Sequence, residues 1–144
     1  MKRYLVPAAM LLAASGAVQA LEYKALAEHA IVYDAGSRQA NPQFILLRGT
    51  PVEIIVTVEK WVKIREQSGG LGWVERSQVA DGNNVIVVTP TEIRQQPDAA
   101  APVVLPVARN VLLEFVEKPT GAWLKVRYRD GQTGYVALRA VWGI

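Results

Sequence analysis

The chain carries few residues that could perform catalysis or bind a metal ion. It has no Cys and a single His, His29. A lone His acts as a general base only when a nucleophile such as Ser37 lies beside it, and one His among scattered carboxylates does not form a metal-ligand set. Glu53 and Glu114 could form the carboxylate pair of a glycosidase, but they hold equivalent places in a repeat, and a shared structural purpose explains both. The sequence therefore predicts no catalytic residue, no metal site and no cofactor.

Aromatic side chains are better suited to binding, because their flat faces hold extended or sugar-like ligands at little entropic cost. Several aromatic residues stand at or beside predicted turns. The candidate ligand-binding residues are Tyr33, Trp61, Trp73, Trp123 and Tyr135, and Trp142 stands in a similar place. The alternative is that Trp73 and Tyr135 fill the ends of a hydrophobic core.

Two pairs of basic residues alternate with apolar ones, so each pair points off one face of its strand. These pairs are Lys63 with Arg65 and Lys125 with Arg127. They are candidates for contact with anionic polymers or lipid phosphates of the cell envelope. The alternative is a solvated outer face that also protects the sheet from edge pairing.

The aromatic and basic residues belong to a stretch that occurs twice. Trp61–Arg65 and Gly72-Trp73-Val74 return as Trp123–Arg127 and Gly134-Tyr135-Val136. The spacing between the copies is 123 − 61 = 62 at the first Trp and 135 − 73 = 62 at the aromatic after Gly, so the register holds through the whole hairpin. A repeat of this length with β-type alternation inside it predicts two small β domains of one kind.

Apolar alternation and turn residues predict a series of short strands. They cover 30–33, 44–47, 51–58, 61–65 and 71–75 in the first copy, and 85–89, 92–94, 103–107, 111–117, 123–129 and 132–136 in the second. In 51–58 the alternation predicts that Val52, Ile54, Val56 and Val58 share one face. Asp130-Gly131 predicts a two-residue hairpin turn. Glu114 follows Glu53 by 61 positions, which places one added residue in the 118–121 turn.

The first 20 residues are typical of a secretory signal peptide. Lys2 and Arg3 form the positive end, 5–14 the apolar core and Val18-Gln19-Ala20 a small-residue cleavage site. We expect cleavage after Ala20, and an uncleaved anchor is the alternative. The predicted divisions are a signal peptide at 1–20, a first domain at 21–80, a linker at 81–84 and a second domain at 85–144, with the two domains packed together. No window of the mature chain predicts a transmembrane span.

Composition excludes several classes of protein. Without Cys the chain is not a lipid-anchored lipoprotein and forms no disulfide. Loss of Lys2 and Arg3 lowers Lys+Arg from 16 to 14 against 13 acidic residues, so the mature chain carries a net charge near +1. Nucleic-acid binding usually requires a much larger basic excess, and we expect no nucleic-acid partner. The sequence does not fix the oligomeric state.

The two copies are similar to bacterial Src homology 3 (SH3b) domains. The second half of that family's pattern is Gly, an apolar strand, Trp-x-Lys-Val, a turn and Gly-Tyr/Trp-Val. It is matched by 49–58, 61–64 and 72–74, and again by 111–116, 123–126 and 134–136. The family's Leu-Arg-x-x-Pro signature is matched by Ile93 to Pro97, whereas the first copy has Val32 and Ala35 at the places of Arg and Pro. Tyr33-Asp34 is similar to a motif of eukaryotic polyproline-binding SH3 domains, but neither copy has the adjacent Trp pair of that groove.

This resemblance implies an all-β fold of two tandem SH3-like β-barrels and a binding or scaffolding role, for cell-wall peptides or for partner proteins of the envelope. Thiol peptidases often accompany such domains, and this chain lacks the Cys for that chemistry. We expect an exported, periplasmic, non-enzymatic protein. Three hypotheses stay open: a peptidoglycan-binding module, a protein-interaction adaptor, and an enzyme that uses His29.

Overall fold

The computed structural model describes residues 20–144, so the signal peptide predicted at 1–20 lies outside the described residues except for Ala20. The strands of the first half are β1 (Tyr23–Leu26), β2 (Ala30–Tyr33), β3 (Pro42–Leu46), β4 (Pro51–Val58), β5 (Trp61–Arg65), β6 (Leu71–Glu75) and β7 (Val79–Ala80). Those of the second half are β8 (Asn84–Val87), β9 (Thr91–Arg94), β10 (Val103–Val107), β11 (Leu112–Phe115), β12 (Trp123–Arg127), β13 (Thr133–Ala137) and β14 (Val141–Trp142). Single 3₁₀ turns at Arg76–Gln78 and Leu138–Ala140 precede β7 and β14. Within the described part of the chain, no helix has the length and apolar character to cross a membrane.

Each half of the chain forms its own seven-stranded sheet. The strand order is β3-β2-β6-β5-β4-β1-β7 in the first sheet and β10-β9-β13-β12-β11-β8-β14 in the second. Adding seven to each strand number of the first order gives the second, so the two halves share one topology. The prediction of an all-β fold with two tandem domains of one kind is therefore confirmed.

Neither sheet closes into a barrel, which corrects the expectation of closed β-barrels. The edge strands β3 and β7 are not hydrogen-bonded to each other, and neither are β10 and β14. Closure requires both edges to offer a row of backbone donors and acceptors. Here β7 and β14 have only two residues each, and Pro42 in β3 and Pro106 in β10 have no N–H to donate.

Each sheet covers its own hydrophobic core, because alternate residues of a strand point to the same face. In the paired strands β5 and β6 the buried residues are Val62, Ile64, Gly72 and Val74. In β12 and β13 they are Leu124, Val126, Gly134 and Val136. The first core also contains Leu26, Ala30, Val32 and Val52, and the second contains Val85, Val87, Ile93, Val107, Leu113 and Val141. Most of these side chains are β-branched, as expected for strands.

Strand β4 departs from the predicted alternation. A β-bulge lies between Ile54, which pairs with Ile64, and Val56, which pairs with Lys63. The extra residue reverses the faces of the strand beyond it, so Val56 and Val58 stand on the outward face and are exposed. The prediction that all four alternate residues of β4 share one face is wrong for this reason.

The hairpins β5–β6 and β12–β13 are closed by three-residue loops, and the two-residue turn predicted at Asp130-Gly131 is wrong. The N–H of Tyr128 donates to the carbonyl of Gln132, and the N–H of Gly131 donates to the carbonyl of Tyr128. The first hairpin makes the same two bonds within 66–70. Gly69 has φ 95° and Gly131 has φ 90°, the left-handed conformation that the last loop residue requires.

The second copy has one added residue, as predicted, but it lies between Phe115 and Thr120, before the two-residue turn, and not within the turn itself. Glu53 pairs with Arg65, which is 65 − 53 = 12 positions further on, whereas Glu114 pairs with Arg127, which is 127 − 114 = 13 positions further on. The chain next to the Trp keeps the same form in both copies. In each copy a two-residue turn, Glu59-Lys60 or Gly121-Ala122, precedes the Trp.

The contacts between the two domains include an aromatic pair and two side-chain hydrogen bonds, one of which runs from Gln67 Nε2 to Asn110 Oδ1 at 2.7 Å. The rings of Tyr23 and Trp142 meet edge to face, with their centroids 5.1 Å apart. The side-chain amide Nδ2 of Asn84 donates to the carbonyl of Gly49 at 2.9 Å. Trp142 therefore packs against the first domain, which accounts for this aromatic residue without a ligand.

We expect Gly134→Ala to lower the free energy of unfolding by about 2 to 3 kcal/mol. A methyl group at Gly134 would lie 2.5 Å from the carbonyl oxygen of Arg94, and backbone cannot give way as a flexible side chain does. Urea denaturation measures the change. Thr133→Ala alters an exposed residue of the same strand and should change stability by less than about 0.5 kcal/mol. Equal stability of the two variants would contradict this packing.

Candidate functional site

Trp73 and Tyr135 lie on the outward faces of β6 and β13. Trp73 stands opposite Lys63, and Tyr135 stands opposite Lys125. Both rings are half-buried, and neither belongs to the core of its domain. The alternative that these rings fill the ends of the core does not hold.

Three of the predicted residues come together in the first domain. Tyr33 pairs with Trp73, and its ring meets Trp61 edge to face with the centroids 5.8 Å apart. Gly36 closes the cluster, because a Cβ at that position would lie 3.2 Å from Cβ of Trp61 and 3.4 Å from Cε3 of Trp73. The loop between β2 and β3 thus packs its backbone onto the aromatic rings.

The second domain does not repeat this cluster. The place of Tyr33 is taken by Arg94 (94 − 33 = 61), which pairs with Tyr135 as Tyr33 pairs with Trp73. The expectation that Val32 and Ala35 hold the places of Arg94 and Pro97 is therefore wrong by one residue, and Tyr33 and Gly36 stand there.

Arg94 Nη1 donates to the carbonyl of Ala101 at 2.7 Å and so holds its own loop. Lys125 Nζ lies 6.0 Å from the centre of the Tyr135 ring, at the limit of a cation–π contact. Trp123 and Tyr135 are therefore present without a third ring.

A groove of about 900 Å³ lies beside Trp61. Three segments form it: the β2–β3 loop, the β4–β5 turn and the 3₁₀ turn that follows β6. The charged residues that line it are Arg38, Glu59, Lys60, Glu75 and Arg76. One aromatic ring and charges of both signs therefore face the same space. We call this space the Trp61 groove.

A groove of about 680 Å³ lies at the corresponding place of the second domain, beside Trp123. Its walls are mostly small or apolar, and they include Ala99, Pro106, Val107, Ala108 and Ala137. The charged residues at this groove are Glu92, Arg94 and Arg139. We call it the Trp123 groove.

An ion pair lies in the wall of the Trp61 groove. Arg38 Nε donates to Glu75 Oε1 at 2.6 Å. This hydrogen bond holds the pKa of the Glu75 carboxyl below its ordinary value and raises the pKa of the Arg38 guanidinium. The Arg38 side chain is 72 % exposed, so solvent screens the pair and a ligand can compete for either partner.

Half of the basic residues predicted to contact anions have carboxylate partners. Arg65 Nη1 lies 2.9 Å from Glu53 Oε2, and Arg127 Nη1 lies 3.5 Å from Glu114 Oε1. Glu53 and Glu114 thus serve the same structural purpose in each copy. Because these pairs reduce the positive charge of the outer faces, Lys63 and Lys125 are the stronger candidates for contact with an anionic polymer.

His29 and Ser37 are not brought together. His29 Nδ1 accepts a hydrogen bond from the backbone N–H of Arg48 at 3.0 Å, and Ser37 Oγ donates to Gln39 Oε1 at 2.8 Å. His29 therefore holds a turn, and Ser37 has no base beside it. Among residues 20–144, no group of three His, Cys, Asp or Glu side chains is placed to hold a metal ion.

The charged residues of the Trp61 groove were not among the sequence-based candidates. Arg38, Glu59 and Glu75 come from three separate segments, and only the folded chain brings them together. One signal was available in the repeat itself. Glu59 stands where the second copy has Gly121, and both residues have a left-handed backbone, with φ 54° and φ 59°.

Both repeats match a known family. The profile of the bacterial SH3 domain matches residues 27–81 and again residues 87–143. The chain belongs to the bacterial SH3 domain family. Its two SH3 domains stand in tandem, and domains of this family are generally binding modules that occur in extracellular or envelope proteins.

The SH3 domain pair is also similar to parts of longer proteins of known structure. The alignment with NlpC2 from Trichomonas vaginalis covers 88 % of this chain and 49 % of that protein, with 15 % identity and a TM-score of 0.40. For NlpC1 from the same organism it covers 94 % and 50 %, with 18 % identity and a TM-score of 0.40. For an NlpC/P60 family protein from Bacillus cereus it covers 84 % and 56 %, with 15 % identity and a TM-score of 0.37. The chain spans about half the length of these proteins. No curated protein matches it.

We expect Glu59→Gly to raise the free energy of unfolding by about 1 kcal/mol, because a side chain at positive φ strains the backbone and glycine does not. The reciprocal change, Gly121→Glu, should destabilise the second domain by a similar amount. Thermal unfolding of both variants measures the effect. A loss of stability in Glu59→Gly would show that the Glu59 side chain supports the fold.

The Arg38–Glu75 pair should break at acid pH. Its hydrogen bond lowers the folded pKa of Glu75 from the ordinary 4.5, so the unfolded chain binds the proton more tightly than the folded chain does. The pair's contribution is therefore complete above about pH 4.5 and is lost as the pH falls through the folded pKa. An NMR titration of the Glu75 carboxyl carbon measures that pKa. In Arg38→Ala it should move up towards 4.5, and an unchanged midpoint would contradict the assignment.

Proposed function

We propose that this protein is a non-enzymatic binding module of the cell envelope that recognises extended cell-wall peptides in the Trp61 and Trp123 grooves. The indole rings would contact apolar and amide groups of the peptide, and polar groups at the groove edges would form hydrogen bonds with its backbone. Recognition is reversible and includes no covalent step.

The observation that carries this proposal is the Trp that both copies keep in an open groove. Trp61 and Trp123 each line the groove of their domain at the same position, although most residues around them differ between the copies. A half-buried indole in an open groove is a common anchor for a ligand. Tyr33 and Trp73 would extend the contact surface beside Trp61, and Tyr135 would do so in the second domain.

We place the protein in the periplasm, because a signal peptide is predicted at 1–20 and bacterial SH3 domains occur in extracellular or envelope proteins. Without Cys it would not be a lipoprotein. The lysine side chains Lys63 and Lys125 would add a weak contact with anionic wall polymers, and salt would reduce that contact.

Co-sedimentation with purified cell-wall sacculi tests the proposal. Trp61→Ala and Trp123→Ala should each weaken binding about tenfold, which is the usual effect of truncating an aromatic anchor, and the double variant should bind still less. Phe44→Ala is the matched control, because it removes an exposed aromatic ring on the edge strand β3 that lines neither groove. Sacculus binding that is absent, or that is unaffected by both Trp variants, would contradict the proposal.

The second candidate is a protein-interaction adaptor, and the edge of the first sheet favours it. Strand β3 is exposed along nearly all of its length, and Ile45, which is 64 % exposed, stands opposite the exposed Ile31. The second domain has Pro106 opposite Glu92 at the same places, and both residues discourage the addition of another strand. An extended apolar segment of an envelope protein would add to β3 through backbone hydrogen bonds.

Cross-linking in the envelope separates the two candidates. An adaptor should lose its cross-linked partner in Ile45→Lys and keep it in Trp61→Ala. The wall-binding module should show the reverse dependence in the sacculus assay. Retention of every cross-linked species in Ile45→Lys would remove the adaptor hypothesis.

A further inference from the structure

The charged residues of the Trp61 groove have no charged counterpart in the second domain. From the β4–β5 turn onwards, each residue of the first domain corresponds to the residue 62 positions later in the second domain, since Trp61 pairs with Glu75 as Trp123 pairs with Ala137. The β2–β3 loop and the β9–β10 loop correspond at a spacing of 61, because matching backbone hydrogen bonds close them. In this alignment Arg38, Glu59, Lys60, Glu75 and Arg76 become Ala99, Gly121, Ala122, Ala137 and Leu138.

The fold does not require these five charges, because the second domain reaches the same strand order without them. Glu59 has a left-handed backbone conformation at the position where the second domain has Gly121, and this conformation is unfavourable for a residue with a side chain. A side chain that is kept at a strained position indicates a role outside the turn. The charges therefore distinguish what the two grooves can bind.

The Trp61 groove holds charges of both signs in contact. Arg38 and Glu75 are hydrogen-bonded at 2.6 Å, and Glu59, Lys60 and Arg76 line the same space. A ligand group with an ammonium and a carboxylate on one carbon is complementary to such a pair. Its carboxylate would pair with Arg38 and its ammonium with Glu75, so that two ion pairs replace one.

Resting on the proposed function, we infer that the Trp61 groove is specific for wall peptides that carry a zwitterionic amino-acid group, such as the far end of a diamino dicarboxylic acid residue. A lysine residue at that place offers the ammonium alone. The Trp123 groove has Ala99 and Ala137 where that pair stands. It holds a different pair, Arg94 with Glu92, but Arg94 is only 22 % exposed and also donates to the carbonyl of Ala101, so we expect it to be unavailable to a ligand carboxylate.

Calorimetry with two synthetic tripeptides tests the inference on the full mature chain. The peptides are L-Ala-γ-D-Glu-meso-diaminopimelate and L-Ala-γ-D-Glu-L-Lys, which differ by one carboxylate. The first should bind about tenfold more tightly, as expected for one additional charge pair. In Arg38→Ala the two affinities should become equal, because the side chain that would pair with that carboxylate is removed.

Two further variants make the test specific. Glu75→Gln should weaken both peptides to a similar extent, because both carry the ammonium. Arg48→Ala removes an exposed positive charge outside both grooves and should leave the tenfold preference intact. Thermal unfolding of each variant checks that it is folded.

Equal affinity of the two peptides for the unaltered protein would overturn the inference, and so would a preference that survives Arg38→Ala. If neither peptide binds, the inference also fails, and the sacculus assay then decides the proposed function separately. Sacculus binding that depends on Trp61 would keep the proposed function, and its absence would remove both.

Discussion

Strand alternation in two hairpins is the constraint on which the rest of the structure depends. Successive residues of a strand must point to opposite faces, so each hairpin that buries a row of apolar side chains also projects a second row outward. In β5 the buried residues Val62 and Ile64 alternate with Trp61 and Lys63. A one-residue slip would exchange the two rows and destroy core and groove together. The position of the groove's Trp is thus fixed by the packing of its neighbours.

The tandem arrangement shows which features this constraint protects. Most core positions change only among apolar residues, as from Val62 to Leu124 and from Ile64 to Val126, and an exception is Ala30, whose place is taken by Thr91. The groove positions change in charge, from Glu75 to Ala137 and from Ser77 to Arg139. Two small domains without disulfides have little core each, and the contact of Tyr23 with Trp142 adds burial that neither domain provides alone.

Much of the fold could be predicted from the sequence, because the repeat and its alternation are local signals. The hairpin strands at 61–65 and 71–75, the tandem domains and the added residue of the second copy follow from spacing alone. The bulge in β4, the open sheet edges and the pairing of Arg65 with Glu53 depend on cross-strand register, which a single sequence does not reveal. Of the residues that line the Trp61 groove, only Trp61 was a ligand-binding candidate from the sequence. The groove's charges come from segments that are distant in sequence, and no local pattern unites them.

The most direct test is an NMR titration of the mature chain with soluble wall peptides, read at the side-chain indole N–H signals. The chain has four Trp residues, so the spectrum has one indole signal for each. The account predicts that the signals of Trp61 and Trp123 shift with peptide concentration and that the signal of Trp142, which lies at the contact between the domains, stays in place. Shifts confined to Trp142 and to the amides of strand β3, with Trp61 and Trp123 unmoved, would contradict it.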